Sequence, residues 1–196
     1  MGVSAILLGA GRSHRMGRDK LSLPWGRETI FQRCLRTLLR SEVEEVILVV
    51  NDRTRKQIDG NLWKEKKVRV ALNPHPQKGM SSSIRCGVKS VSPRSKGILI
   101  ALGDQPSLKS RTVRALVEAF ETKQDKIIVP IFKGRRGHPV IFPMRFKGEL
   151  LRLKGDEGGR SILKRYAAEV HEVKVRSAGV LQDIDTWEDY RKKWGH

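Results

Sequence analysis

The sequence predicts an α/β fold with three layers: helices on both faces of a mostly parallel, mixed sheet. Three observations point there. Short runs rich in Val, Ile and Leu recur at Val3 to Leu8, Val46 to Val50, Val68 to Leu72, Gly97 to Leu102, Ile127 to Phe132 and Val170 to Val175. Val3 to Leu8 and Val46 to Val50 suit strands buried in a parallel sheet, and the other four runs read as further strands. Segments of helical periodicity stand between most of them, and strands alternating with helices build a parallel sheet by crossover. Lys133-Gly134-Arg135-Arg136-Gly137 then reads as a turn into a returning strand, Pro139 to Phe142, which adds an antiparallel feature.

The helices follow from spacing. Over Thr29 to Arg40, Ile30, Phe31, Cys34, Leu35, Leu38 and Leu39 fall on one face, with Arg33, Arg36 and Arg40 outside. Leu21 to Gly26 before it is extended, because Pro24 disfavours helix at Leu23. A short polar helix is expected after Asn51-Asp52, to about Trp63. Gly79 followed by Met80-Ser81-Ser82-Ser83 and apolar periodicity reads as a helix start, whose N–H groups and dipole would favour an anion. Ser110 to Phe120, Met144 to Leu153 and Arg160 to Ala168 continue the pattern. Asp185 or Thr186 caps a last helix with Trp187, Tyr190 and Trp194 on one face, a stripe that suits core packing.

The 196 residues have no repeat or linker and are read as one domain, 1–196. No apolar run approaches the roughly 20 residues a membrane span needs, and no leader-like segment is seen, so the expected location is the cytoplasm. Two separated cysteines, Cys34 and Cys86, and five scattered histidines lack metal-site spacing, and the thiols are expected to be packed. The net charge of +19 implies an anionic partner or a basic surface. It is spread along the chain with few aromatics to stack on bases, so nucleic acid is not the expected partner.

The stretch Ile6 to Lys20 is the chemical focus. An apolar run enters, Gly9 and Gly11 turn the chain, and Arg12, Arg15, Arg18 and Lys20 follow. It fits neither common phosphate loop. His14 stands where a dinucleotide fingerprint needs its third glycine, and Gly11 and Gly17 are separated by five residues with Arg18 next. On spacing alone it is either one wall of a phosphate site or a solvated basic loop. Asp104, just past the Gly97 to Leu102 run, lies at the edge where α/β sheets bind ligands, although a turn residue there is also usual. Gly155-Asp156-Glu157-Gly158-Gly159-Arg160 suits either a phosphate contact or a helix–helix turn.

Together, Leu8-Gly9-Ala10-Gly11-Arg12-Ser13-His14-Arg15-Met16-Gly17 with Lys20, Asn73-Pro74, Gly79 to Val88, Leu102-Gly103-Asp104-Gln105-Pro106, Gly137-His138-Pro139, Gly155-Asp156 with Gly158-Gly159-Arg160, and Asp183-Ile184-Asp185-Thr186 with Asp189-Tyr190 resemble the MobA-like nucleotidyltransferases. The likeness runs in order through essentially the whole chain and is nearest to the molybdenum cofactor cytidylyltransferases. It implies a Rossmann-like nucleotidyltransferase domain that moves CMP from CTP to the terminal phosphate of molybdopterin and releases pyrophosphate. It also implies magnesium, with manganese as an alternative, and a molybdoenzyme as recipient of the product.

By the same resemblance, Arg15, Lys20 and Asp104 are catalytic, with Asp104 and Asp185, each just past a strand, holding the metal. Leu8, Gly9, Ala10, Gly11, Arg12, Gly79, Ser82 and Ser83 meet the nucleotide, and His138 and Arg160 meet the acceptor. The family usually reads Leu-Ala-Ala-Gly at the opening turn, where this chain has Leu8-Gly9-Ala10-Gly11. Ala10 favours cytidylyl over guanylyl transfer. A guanylyltransferase, a transferase to another phosphorylated acceptor and a non-catalytic basic binding module are the alternatives.

Overall fold

The computed structural model describes residues 2–11, 19–57 and 65–194. The main sheet contains β1 (Val3–Leu8), β4 (Glu45–Val50), β5 (Val68–Leu72), β6 (Gly97–Leu102), β7 (Ile127–Phe132), β9 (Val140–Pro143) and β10 (Val170–Lys174), in the order β10-β7-β9-β6-β1-β4-β5. A two-residue strand, β8 (Arg135–Arg136), pairs with β7, and β2 (Pro24–Trp25) pairs with β3 (Glu28–Thr29) in a separate small ribbon. The β1–β4, β1–β6, β4–β5 and β7–β10 pairings are parallel, and β9 runs antiparallel to both β6 and β7. The returning strand therefore does more than close a hairpin: it is inserted between β6 and β7. The His138–Pro139 peptide bond leading into it is cis.

Seven helices among the described residues cover both faces. On one side lie α1 (Ile30–Leu39), α4 (Ser110–Thr122) and α7 (Trp187–Trp194), whose Phe31, Leu35, Leu116, Phe120 and Tyr190 join one buried cluster. On the other lie α3 (Met80–Ser90), α5 (Lys147–Arg152) and α6 (Arg160–Arg165), whose Ile84, Val88, Leu150 and Ile162 join a second. The short polar α2 (Asp52–Gln57) follows β4, and the rest of the helix expected to Trp63 lies outside the described residues. No helix among the described residues is long and apolar enough to cross a membrane.

Local sequence explains the boundaries. Thr29 caps α1 through a reciprocal pair with Gln32, which satisfies two otherwise orphaned N–H groups. Thr186 and Asp189 do the same for α7: Asp189 Oδ2 accepts from Thr186 N at 2.9 Å, and Thr186 Oγ1 accepts from Asp189 N at 3.1 Å. Tyr190 donates from its hydroxyl to Pro24 O at 2.8 Å and lies edge-on to Trp187, while Trp187 itself is 37% exposed, so the stripe is only partly core. Three expected segments are shorter: the 3₁₀ turn Lys20–Ser22 takes the first two residues of the stretch read as extended from Leu21, Met144–Phe146 is 3₁₀ before α5 begins, and α6 stops at Arg165, with Ala167–Glu169 a 3₁₀ turn.

Candidate active site

The strand order reverses between β1 and β6, and such a switch point opens a crevice at the C-terminal edge of an α/β sheet. There Gly103 N donates to Leu8 O at 2.9 Å, and Gly9 N donates to Val49 O at 2.7 Å, so the strand ends are held together past their last ladder pairs. Ala10 is buried, and its carbonyl accepts from Asn51 Nδ2 at 3.1 Å, which ties the opening turn to the end of β4. Gly11 is exposed, and beyond its chain neighbours no heavy atom of the described residues lies within 4 Å of where its β-carbon would stand. Arg12 and Arg15 lie outside the described residues.

Lys20, Asp104 and Asp185 meet at this crevice. Lys20 Nζ donates to Asp104 Oδ2 at 2.7 Å and to Asp185 Oδ1 at 2.9 Å. Asp19 sets the approach, because its side chain accepts from Leu21 N at 3.1 Å and caps the turn that carries Lys20. Asp104 follows directly on β6, as expected, but Asp185 does not sit just past a strand. β10 ends at Lys174, a 3₁₀ turn covers Ala178–Leu181, and the chain returns through 182–185. Ile184 N donates to Asp104 O at 2.9 Å, and this backbone bond is what brings the second carboxylate to the first.

Burial pushes the Asp104 pKa above the ordinary carboxylate value, against the pull of Lys20, and the Asp183 and Asp185 charges push the same way. For Lys20, burial pulls downward, but the two carboxylates outweigh it and the ammonium pKa stands above its usual value. Asp104 Oδ1 is buried and has no hydrogen-bond partner among the described residues. An orphaned carboxylate oxygen is costly to leave unpaired, which points to a ligand with positive charge or a donor.

The Gly79–Ser83 segment borders the next strand end. Gly79 has φ +83°, and a β-carbon there would stand 2.5 Å from both Asp156 Oδ1 and Gly155 O, so only glycine fits. The expectation of free amides at the start of α3 is corrected. Met80 N donates to Asp156 Oδ1 at 3.2 Å, Ser81 N to Gly155 O at 3.2 Å and Ser82 N to Gly79 O at 3.1 Å. The 155–156 loop thus closes the helix start, because a carboxylate is the preferred neighbour of those amides. Asn73, just past β5, donates from Nδ2 to Ser82 Oγ and Ser83 Oγ at 2.9 and 3.0 Å. The sequence assigns Asn51 no site role, and Asn73 enters only through the Asn73-Pro74 motif. The available signal was an amide side chain directly after the end of each of two parallel strands.

His138 and Arg160 line one cavity of about 280 Å³, with Arg136 and Lys164 as further cations and Phe142 and Leu163 among its apolar walls. His138 N donates to Val180 O at 2.9 Å, and Gly137 N to Pro130 O at 2.9 Å, which fixes the backbone on both sides. Burial lowers the His138 pKa, and the Arg160 charge lowers it further. Asp183 and a hydrogen bond to the Ile100 backbone oppose this without reversing it. The imidazole is therefore neutral at pH 7, and its Nδ1 is buried without a partner among the described residues.

A three-layer α/β fold with paired carboxylates and a lysine at its switch-point crevice defines a nucleotidyltransferase-like architecture. The chain belongs to the MobA-like NTP transferase domain family, which matches residues 5–170, and it is a nucleotidyltransferase. It is 32% identical over 192 residues to the purine catabolism protein PucB of Bacillus subtilis, covering 94% of this chain and 92% of PucB. It is 24% identical over 188 residues to the molybdenum cofactor cytidylyltransferase of Escherichia coli, covering 96% and 93%. The crystal structure of Rv0371c from Mycobacterium tuberculosis superposes with a TM-score of 0.86 at 29% identity, over 100% of this chain and 98% of that one. A manganese complex of Rv0371c aligns with a TM-score of 0.81 at 27% identity, over 100% and 99%.

Proposed function

We propose that this nucleotidyltransferase moves CMP from CTP to the terminal phosphate of molybdopterin, using a divalent cation held by Asp104 and Asp185. The observation that carries the reading is the meeting of Lys20, Asp104 and Asp185 at the crevice between β1 and β6. The similarity to the E. coli cytidylyltransferase supports the choice of CTP and acceptor, and Ala10 at the opening turn, by the resemblance given above, supports CTP. The manganese complex of Rv0371c supports the metal.

The reaction pits anion against anion. An oxygen of the acceptor phosphate attacks the α-phosphorus of CTP, a new P–O bond forms, and the bond to the departing pyrophosphate breaks. The nucleophile is already ionised near neutral pH, so catalysis rests on positioning and charge neutralisation. Lys20 and Arg15 serve the triphosphate. Leu8, Gly9, Ala10 and Gly11 form one wall for the nucleotide, with Gly79, Ser82 and Ser83 as the other, and Arg12 is assigned to the nucleotide by the family resemblance alone. His138 and Arg160 serve the acceptor, whose phosphate needs a cation beside an apolar wall.

The residues present fit a hard divalent cation. Two carboxylates, one with a buried unpaired oxygen, supply part of a coordination sphere that water and phosphate oxygens complete. Such an ion, when bound, neutralises phosphate charge.

The greater identity to PucB supports a second reading, the same transfer to a different phosphorylated acceptor. A panel of nucleoside triphosphates with purified molybdopterin, read by pyrophosphate release, separates the two. Release with CTP is the expected result. Release with GTP alone changes the base, and no release with any triphosphate removes molybdopterin.

A further inference from the structure

The two carboxylates at the crevice share a cation that belongs to the chain itself. Lys20 Nζ is 2.7 Å from Asp104 Oδ2 and 2.9 Å from Asp185 Oδ1. The Lys20 and Asp104 side chains are only 17% and 20% exposed, so solvent and salt screen this pair little. Lys20 is held in place by the capped turn Lys20–Ser22 rather than by a free loop.

We propose that Lys20 occupies the divalent-cation site of the nucleotide-free protein, and that a bound triphosphate opens the site by drawing the ammonium onto its own oxygens. The inference rests on the two-carboxylate reading given above. Its physical basis is competition. A divalent cation arriving while Lys20 is in place must take carboxylate oxygens that already accept from Nζ, and must sit beside a positive charge at short range. With Lys20 moved to a phosphate, both costs disappear. Lys20 is then a positioning residue with two states, paired with Asp104 and Asp185 or with the nucleotide. Metal and triphosphate bind with positive coupling through it, and the coupling is reciprocal.

The test measures manganese uptake by electron paramagnetic resonance, with and without CTP, in the full chain and in Lys20→Met and Lys20→Gln. Asp104→Asn in each background serves as the control. The parent is expected to bind manganese weakly alone and tightly with CTP. Both Lys20 variants are expected to bind it without CTP at least about tenfold more tightly than the parent, within the usual range of such couplings, and to lose that uptake with Asp104→Asn. Lys20→Gln keeps a hydrogen-bond donor for the carboxylates, so it decides the matter should Lys20→Met unfold. Asp104-dependent uptake that is equal in parent and variants overturns this proposal alone. No Asp104-dependent uptake in any protein, with or without CTP, overturns the metal reading and this inference together.

Discussion

A β-carbon on Gly9 would stand 2.3 Å from Phe31 Cε2, so the first glycine of the opening turn answers to a core ring. The same ring, 1% exposed, would stand 2.8 Å from a β-carbon on Gly103. Phe31 thus fills the space beneath both strand ends of the crevice. A side chain at Gly9 or Gly103 would therefore have to displace this ring.

Gly9→Ala is therefore expected to destabilise the fold by about 1–3 kcal/mol through overpacking. Phe31→Leu in the same chain should recover part of that loss, even though it is destabilising alone, because the two positions share one space. Urea unfolding of the two single variants and the double variant measures the coupling. Strict additivity would refute the packing account.

Asn73→Ala should leave the hydroxyls of Ser82 and Ser83 without their shared donor. Loss of a buried partner costs about 1–3 kcal/mol. If these serines face the nucleotide, KM for CTP rises more than kcat falls, since the change disturbs binding in ground and transition states alike. Chemical denaturation and steady-state kinetics read the two effects. Parental values in both would show that the junction of β5 and α3 does not depend on Asn73.

Asp104→Asn should reduce turnover by a factor on the order of 10² or more, the scale of losing one preorganised electrostatic group. Pyrophosphate release is the measurement, with circular dichroism to confirm the fold. A rate near the parent's would remove Asp104 from the mechanism.

His138 gives a pH dependence with a definite sign. Its pKa is lowered from the ordinary value of 6.5, by burial first and then by Arg160. The folded protein holds this proton less tightly than the unfolded chain. Stability from the neutral imidazole is therefore complete above pH 6.5, and is lost as pH falls from there through the folded-state pKa. His138→Asn should flatten that part of the stability curve. Unfolding midpoints from pH 7.5 down to about 5 test it, and an unchanged slope would assign the acid sensitivity to other groups.

Much of the architecture was legible in the sequence. The strands at Val3–Leu8, Gly97–Leu102 and Ile127–Phe132 coincide with the apolar runs, because strands of a parallel sheet crossed by helices are mostly covered on both faces, whereas β5 matches its run Val68–Leu72 as an edge strand with Val70 and Leu72 exposed. The start of α1 was legible because its cap, Thr29 with Gln32, is local in sequence. Asp104 at the ligand edge followed from its position after one such run.

Tertiary structure decided the rest, and the reason is the same each time: the partner is remote along the chain. Asp185 reaches Asp104 through Ile184 N and Asp104 O, a bond no periodicity announces. Asp156 and Gly155 close the first amides of α3, which local reading left free for an anion. β9 enters between β6 and β7 by pairing with both, which a turn and a proline cannot reveal. Phe31, twenty-two residues further along the chain, is what leaves no room for a side chain at Gly9. Residue types and spacing by themselves determined which elements form and which chemistry the chain carries. Which carboxylates converge and what Lys20 touches depended on packing between distant segments, since those contacts exist only once the sheet is assembled.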